Sequence, residues 1–190
     1  MSLIHKATAY ACRKHDTQFR NGNVVPYIQH PLDVVRLLAN WDITDEPVLA
    51  AAVCHDVLED CPKTSDAELQ EVLGSLACHW VKELTFKPKS KATASAEKAE
   101  YLALWLTEKS VESLVIKVAD RVCNTQDFLE AHADYAIKYW WQAGSLVLAA
   151  RQRISEVRSR FSAHAGFKML ATIESFCETL GDPGRSASKP

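Results

Sequence analysis

The stretch LAAAVCHDVLEDCP (residues 49–62) decides how this chain is read. Leu49 to Val53 and the pair Val57-Leu58 are residues that pack inside a protein. Between and after them stand His55-Asp56 and Glu59-Asp60. Apolar residues returning every three or four positions predict a helix beginning near Thr44–Pro47, with Asp45 and Glu46 at its electropositive end. On such a helix His55 faces Glu59 and Asp56 faces Asp60, four residues apart. Burying charge costs heavily unless the charge is paired or metal-bound. Three acids and an imidazole in an apolar helix therefore point to a metal or proton-transfer site.

Outward from this segment, helical periodicity continues and no strand is evident. A first helix is predicted from Leu3 to about Gln18, followed by a polar loop, RNGNVVPYIQH (residues 20–30). Pro31 suits the first turn of a second helix reaching about Trp41. Pro62 closes the central helix. Ser65 and Glu68 have capping-box spacing for a helix over residues 66–73 that stops at Gly74, and another follows to Leu84. KPKSKATASAEK (residues 87–98) reads as a mobile basic loop. Further helices are expected near 97–107, 111–130, 133–160 and 163–180, and GDPGRSASKP (residues 181–190) as a disordered tail. The expectation is all-α: one helical-bundle domain over residues 1–180 with about eight to ten helices.

The 190 residues are enough for one buried core, and a net charge of −2 gives no global attraction to nucleic acid or anionic membrane. A local anionic ligand needs only a few cations and stays open. The six cysteines (12, 54, 61, 78, 123 and 177) form no CxxC pair, and no secretory signal or apolar run of membrane-spanning length is visible. Reduced thiols in a cytoplasmic protein are expected, mostly as small buried hydrophobes.

Two more residues can complete a site with His55 and Asp56. His30 ends the loop before Pro31, and Asp120 interrupts the apolar run VIKVADRVCNTQDF (residues 115–128). Two imidazoles and two carboxylates form a mixed nitrogen and oxygen set. Such a set suits Mn²⁺ or Fe²⁺ better than a thiolate-preferring structural zinc.

In these surroundings, H…HD…D resembles the HD superfamily of metal-dependent phosphohydrolases. More narrowly, it is similar to the hydrolase domain of RelA/SpoT-type alarmone enzymes. The likeness runs from ATAYACRKHDTQFRNG (7–22) through PYIQHPLDVVRLL (26–38) and the central segment to VIKVADRVCNTQDF. The HD dipeptide alone is weak; PYIQHP, HDVLED and KVADRVCN in this order and spacing are strong. The resemblance implies an HD-domain helical bundle and a stand-alone small alarmone hydrolase. The implied reaction removes the 3′-pyrophosphate of (p)ppGpp, leaving the nucleoside 5′-di- or triphosphate and pyrophosphate, with one Mn²⁺ per chain.

By motif matching, His30, His55, Asp56 and Asp120 take the ligand roles, and Glu59 and Asp60 the acid/base and water-orienting roles. Arg20 and Asn124 match substrate-facing positions, and Lys14, Lys91 and Lys98 are candidate phosphate cations. Asn21, where the family often carries Lys, and the altered length of the loop from Arg20 to Pro26 leave guanine or adenine open, as in ppGpp or ppApp. Cys61 stands where Thr is usual. Homo-oligomerisation is likewise open. A nucleotide phosphatase acting on 5′-nucleotides or the 2′-phosphate of NADPH, and a silent nucleotide-binding HD module, are the competing readings. The intact Glu59-Asp60 pair argues against the silent one.

Elsewhere, His5, His15, His79, His132 and His164 lack partners at ligand spacing. Tyr139-Trp140-Trp141 reads as interhelical packing. Arg151, Arg153, Arg158 and Arg160 read as a solvated face of one long helix.

Overall fold

The computed structural model describes residues 1–20, 24–90 and 94–184. The helices are α1 (Leu3–Lys14), α2 (Gln29–Asn40), α3 (Glu46–Val53), α4 (Val57–Asp60), α5 (Asp66–Leu84), α6 (Ala94–Ala103), α7 (Val111–Ala131), α8 (Ala133–Trp141), α9 (Gly144–Gln152), α10 (Ile154–Arg160) and α11 (Ala163–Leu180). The fold is all-α, and no helix among the described residues is long and apolar enough to cross a membrane.

At the centre lies α3, whose Ala50, Ala51, Ala52 and Val53 are fully buried. Its small side chains let α1, α2, α5 and α7 contact it from all sides. Asp45 caps it by accepting from the Val48 amide at 3.3 Å. Ser65 caps α5 through the Glu68 amide at 3.1 Å, as the capping-box spacing predicts. Gly74 interrupts α5 at φ 75°, so the two helices expected on either side of it meet at a kink.

Several expectations are corrected. First, α1 ends at Lys14 rather than Gln18, and Phe19–Arg20 pairs antiparallel with Val25–Pro26 in a short ribbon, β1–β2, where no strand was expected. Residues 21–23, including Asn21, lie outside the described residues.

Second, the central helix is not continuous. It ends at Val53 and resumes at Val57, with Cys54 (φ −106°, ψ 9°) and Asp56 (φ −96°, ψ −6°) in the gap. Amides of Cys54, His55 and Val57 reach back three residues instead of four. Consecutive residues on a regular helix point about 100° apart and do not face one another. Opening the helix here lets His55 and Asp56 aim at one spot.

Third, the basic segment is partly helical: α6 begins at Ala94 and carries Lys98, whereas Lys91 lies outside the described residues. Fourth, residues 133–160 form three helices, α8, α9 and α10, and their arginines are not one solvated face: Arg160 is exposed but paired, and Arg151 and Arg153 are half-buried. Arg151 pairs with Glu174 and Asp182, each within 2.9 Å. Arg153 donates to the Trp105 and Lys109 carbonyls, and Arg160 pairs with Asp45 and Glu112. Arg158 is exposed as expected.

Finally, the start of the tail is docked. Trp140 and Trp141 donate to the Gly181 and Leu180 carbonyls, both at 3.0 Å, alongside the Asp182–Arg151 pair. Residues 185–190 lie outside the described residues. All six cysteines are free; Cys54, Cys61, Cys78 and Cys177 are buried, while Cys12 is exposed.

Candidate metal centre and active site

Four side chains from three places in the chain converge on one point: the N-terminal turn of α2 (His30), the break between α3 and α4 (His55, Asp56) and the middle of α7 (Asp120). His55 Nε2 lies 3.1 Å from Asp56 Oδ2 and 3.5 Å from Asp120 Oδ1. His30 Nε2 lies 3.2 Å from Asp120 Oδ1 and 3.7 Å from Asp56 Oδ2. His30, His55 and Asp120 are buried, and Asp56 is partly open to solvent. The first three form a floor, and Asp56 stands at the mouth.

The residues fit a cation. His55 Nδ1 donates to the Ala52 carbonyl at 2.7 Å, which leaves Nε2 as the nitrogen facing the carboxylates. That Nε2 is buried without a hydrogen-bond partner. One ligand atom from each of His30, His55 and Asp120 falls within 4.8 Å of the others. Among the described residues, one lysine or arginine pairs directly with this cluster: Lys117, whose ammonium is 2.8 Å from Asp120 Oδ2. Burial opposes charging His55, but Asp56 and Asp120 outweigh it and raise its pKa to about 10. The cluster thus draws in positive charge, and a divalent ion meets that demand with four hard or borderline donors.

Asp120 is the most heavily engaged of the four. Asn124, one turn on, donates to its Oδ1 at 2.5 Å, and Arg20 donates to the Asn124 amide oxygen at 2.5 Å. Arg20 also pairs with Asp127 at 3.0 Å and lies over the Tyr27 ring. Arg20 and Asn124, 104 residues apart in sequence, are therefore one network on the flank of the site.

Glu59 and Asp60 occupy the next turn. Glu59 Oε2 accepts from the Phe86 amide at 2.9 Å. Burial raises its pKa against the pull of Lys117 and Lys98. Beside it opens a cleft of about 560 Å³ lined by Leu58, Glu59, Pro62, Phe86, Lys87 and Pro88. Lys98 reaches this side from α6, its ammonium 4.5 Å from the Phe86 ring centre. Burial and Lys117 lower its pKa to about 8 despite the attraction of Glu59.

Lys14 is not brought to the centre. It pairs with Glu68 at 2.7 Å and, with Arg13 and Lys63, lines a groove that reaches the site only through Asp60.

Three residues were not foreseen. The Tyr27 hydroxyl lies 2.8 Å from Asp56 Oδ2 and 2.5 Å from Asp60 Oδ2, so the two carboxylates share its single proton. Burial, then these two carboxylates, push its phenol far above the ordinary range, so it remains a donor. His15, expected to lack partners, is buried, stacks on Tyr27 at 4.6 Å and meets Gln18 through Nδ1 at 2.6 Å. Lys117 is the counter-ion already described. Its one sequence signal is a lysine three residues before an acid inside an apolar helix.

The HD domain family matches residues 7–139 of this chain. The guanosine-3′,5′-bis(diphosphate) 3′-pyrophosphohydrolase MESH1 of Danio rerio is 32% identical over 128 residues, 66% of this chain and 69% of that protein. The guanosine-3′,5′-bis(diphosphate) 3′-pyrophosphohydrolase of Spiroplasma citri is 39% identical over 124 residues, and the GTP pyrophosphokinase rsh of Brucella abortus 35% over 127. Those matches take in 64% and 65% of this chain, but the chain spans only 16% of the length of either bacterial relative. Among solved structures, a metazoan ortholog of SpoT that hydrolyses ppGpp superposes with a TM-score of 0.73 at 25% identity. The superposition covers 95% of this chain and 97% of that one.

Proposed function

Given that the chain belongs to the HD domain family, we propose that it hydrolyses the 3′-pyrophosphate of a purine alarmone, (p)ppGpp or (p)ppApp. The products are the nucleoside 5′-di- or triphosphate and pyrophosphate. The observation that carries this reading is the unpartnered His55 Nε2 among two carboxylates and a second imidazole, with Glu59 and Asp60 one turn away. The similarity to the zebrafish and Spiroplasma hydrolases supports the substrate class.

In this reading His30, His55, Asp56 and Asp120 would hold one divalent ion, Mn²⁺ by the nature of the donors. When bound, such an ion lowers the pKa of water and neutralises phosphoryl charge. The chain's own residues do the rest. Glu59, desolvated and anchored by the Phe86 amide, takes a proton from the attacking water. Asp60, in its protonated form, passes a proton to the 3′-oxygen as its bond to phosphorus breaks, and the proton taken up by Glu59 restores it. Lys98 offsets charge on the pyrophosphate from the Glu59 side, as phosphoryl transfer requires. Arg20 and Asn124 line the opposite flank for the nucleoside. Residues 1–180 act as one unit, and the free thiols suit a reducing, cytoplasmic setting.

The test is product analysis after incubation with ppGpp and ppApp in Mn²⁺, beside Asp56→Ala. Pyrophosphate from wild type, with loss of turnover and retained helicity in the variant, is expected. Orthophosphate as the product would instead favour a general nucleotide phosphatase. Full Mn²⁺-dependent turnover by Asp56→Ala would overturn the site assignment.

A further inference from the structure

Tyr27 occupies an unusual position among the charged groups of this site. Its hydroxyl contacts Asp56 Oδ2 at 2.8 Å and Asp60 Oδ2 at 2.5 Å. The Asp56 oxygen it touches is the same one that lies 3.1 Å from His55 Nε2 and 3.7 Å from His30 Nε2. One phenol therefore joins a carboxylate of the metal centre to a carboxylate of the proton-transfer pair. Two like charges held around one point repel unless a donor stands between them.

The ring itself is held on several sides. The Tyr27 amide donates to the Gln18 carbonyl at 2.9 Å, which ties it to the end of the α1 region. Its carbonyl accepts from the His30 amide at 3.0 Å, which ties it to the start of α2. The face of the ring stacks on buried His15, whose Nδ1 is in turn fixed by Gln18. Gln18 also donates to the Asp60 carbonyl at 2.9 Å. The stack and these bonds set the hydroxyl where α4 presents its two acids.

We propose that Tyr27 is a positioning residue whose hydroxyl bridges Asp56 and Asp60, orienting the metal-centre carboxylate and the proton-transferring carboxylate through one contact. The proposal rests on the metal-centre reading above and extends it to the coupling between the ligand set and the acid/base pair. Partners that orient a ligating group typically change metal affinity 10–100-fold when removed. Tyr27 also holds Asp60, so its loss acts on turnover as well as on ion binding.

The experiment is Tyr27→Phe, which keeps the ring and the His15 stack and removes only the hydroxyl. Mn²⁺ affinity is measured by calorimetry without substrate, and kcat and KM at saturating Mn²⁺. The expected result is a Mn²⁺ affinity lowered about 10-fold and kcat lowered about 10–100-fold. KM and the metal-free melting temperature stay nearly unchanged. In an Asp60→Asn background the same change lowers kcat little further, because the two residues act as one unit.

Wild-type Mn²⁺ affinity and kcat in Tyr27→Phe would overturn the proposal. So would fully additive losses in the double variant, or a fall in melting temperature that accounts for the lost activity. A wild-type protein inactive on both alarmones, whose Mn²⁺ affinity still falls in Tyr27→Phe, refutes the substrate and leaves the positioning role standing. A wild-type protein that binds no Mn²⁺ refutes the metal centre and this proposal with it.

Discussion

Removing Asp120 should cost stability as well as activity, and the size of the loss can be worked out from its neighbours. The Asp120 and Lys117 side chains are 5% and 7% exposed and sit 2.8 Å apart. Replacing Asp120 by Ala leaves the Lys117 ammonium buried without its counter-ion, a change that typically costs about 3–5 kcal/mol. One effect works in the opposite direction. Asp56 and Asp120 both approach His55 Nε2 within 3.5 Å, so they stand within about 7 Å and repel by about 2–3 kcal/mol at an effective dielectric of 20. The proton on His55, held by a pKa of about 10, already masks part of that repulsion.

The unpaired lysine therefore wins, for a net loss of about 2–4 kcal/mol, or about 5–15 °C in melting temperature for a domain of this size. Thermal unfolding in EDTA is the assay, so that lost ion binding does not contribute. Adding Lys117→Met to Asp120→Ala should recover most of the loss by removing the stranded charge. An Asp120→Ala protein that melts like wild type, or a double variant no more stable than the single, would refute the reasoning.

Three further outcomes follow from the same structure. Saturating Mn²⁺ at about 100 times its dissociation constant should stabilise the metal-stripped protein by about 2.7 kcal/mol, a shift abolished by His55→Ala and read by thermal unfolding. Lys98, with a pKa of about 8, is cationic below that pH and neutral above it; KM for the alarmone should rise between pH 7 and 9 in wild type and stay flat in Lys98→Met. This depressed pKa makes the unfolded chain the better proton binder between about 8 and the ordinary 10.5, so the lysine adds stability as pH rises through that window. Among glycines, Gly181→Ala should destabilise more than Gly74→Ala in denaturant titration. Both have positive φ with extended ψ, which strains any other residue by about 1–3 kcal/mol. Only at Gly181 would the new methyl also meet a ring, 2.7 Å from Trp141 Cζ2, while nothing lies within 4 Å at Gly74.

Local pattern carried much of this protein. Apolar periodicity was enough for the all-α class, Ser65 and Gly74 for the start and kink of α5, and the motif order for His30, His55, Asp56 and Asp120. Those signals are legible because caps and breakers act within a few residues, and because acids and histidines in apolar helices are anomalous wherever they occur. The relation between His55 and Asp56 was not legible. Regular helical geometry sends adjacent residues apart, and only the packing around α3 opens the chain at Cys54 so that both point to one spot. The subdivision of residues 133–160 was hidden for a similar reason. No proline marks it, and Arg151 and Arg160 find acids on α7 and α11, before α3, and beyond α11.

The sequence by itself marked out the side chains of the proposed site: His30, His55, Asp56 and Asp120 as proposed ligands, and Glu59 and Asp60 one turn on. The tertiary structure alone decided how they are held together. Tyr27 reaches Asp56 and Asp60 across about thirty residues, and Arg20 reaches Asn124 across 104. Contacts at that separation leave no periodicity in the chain. They exist because α1, α2 and α7 bury their apolar faces around the same small-residue helix, and a tyrosine or lysine in such a face reads as ordinary core until the fold gives it a partner.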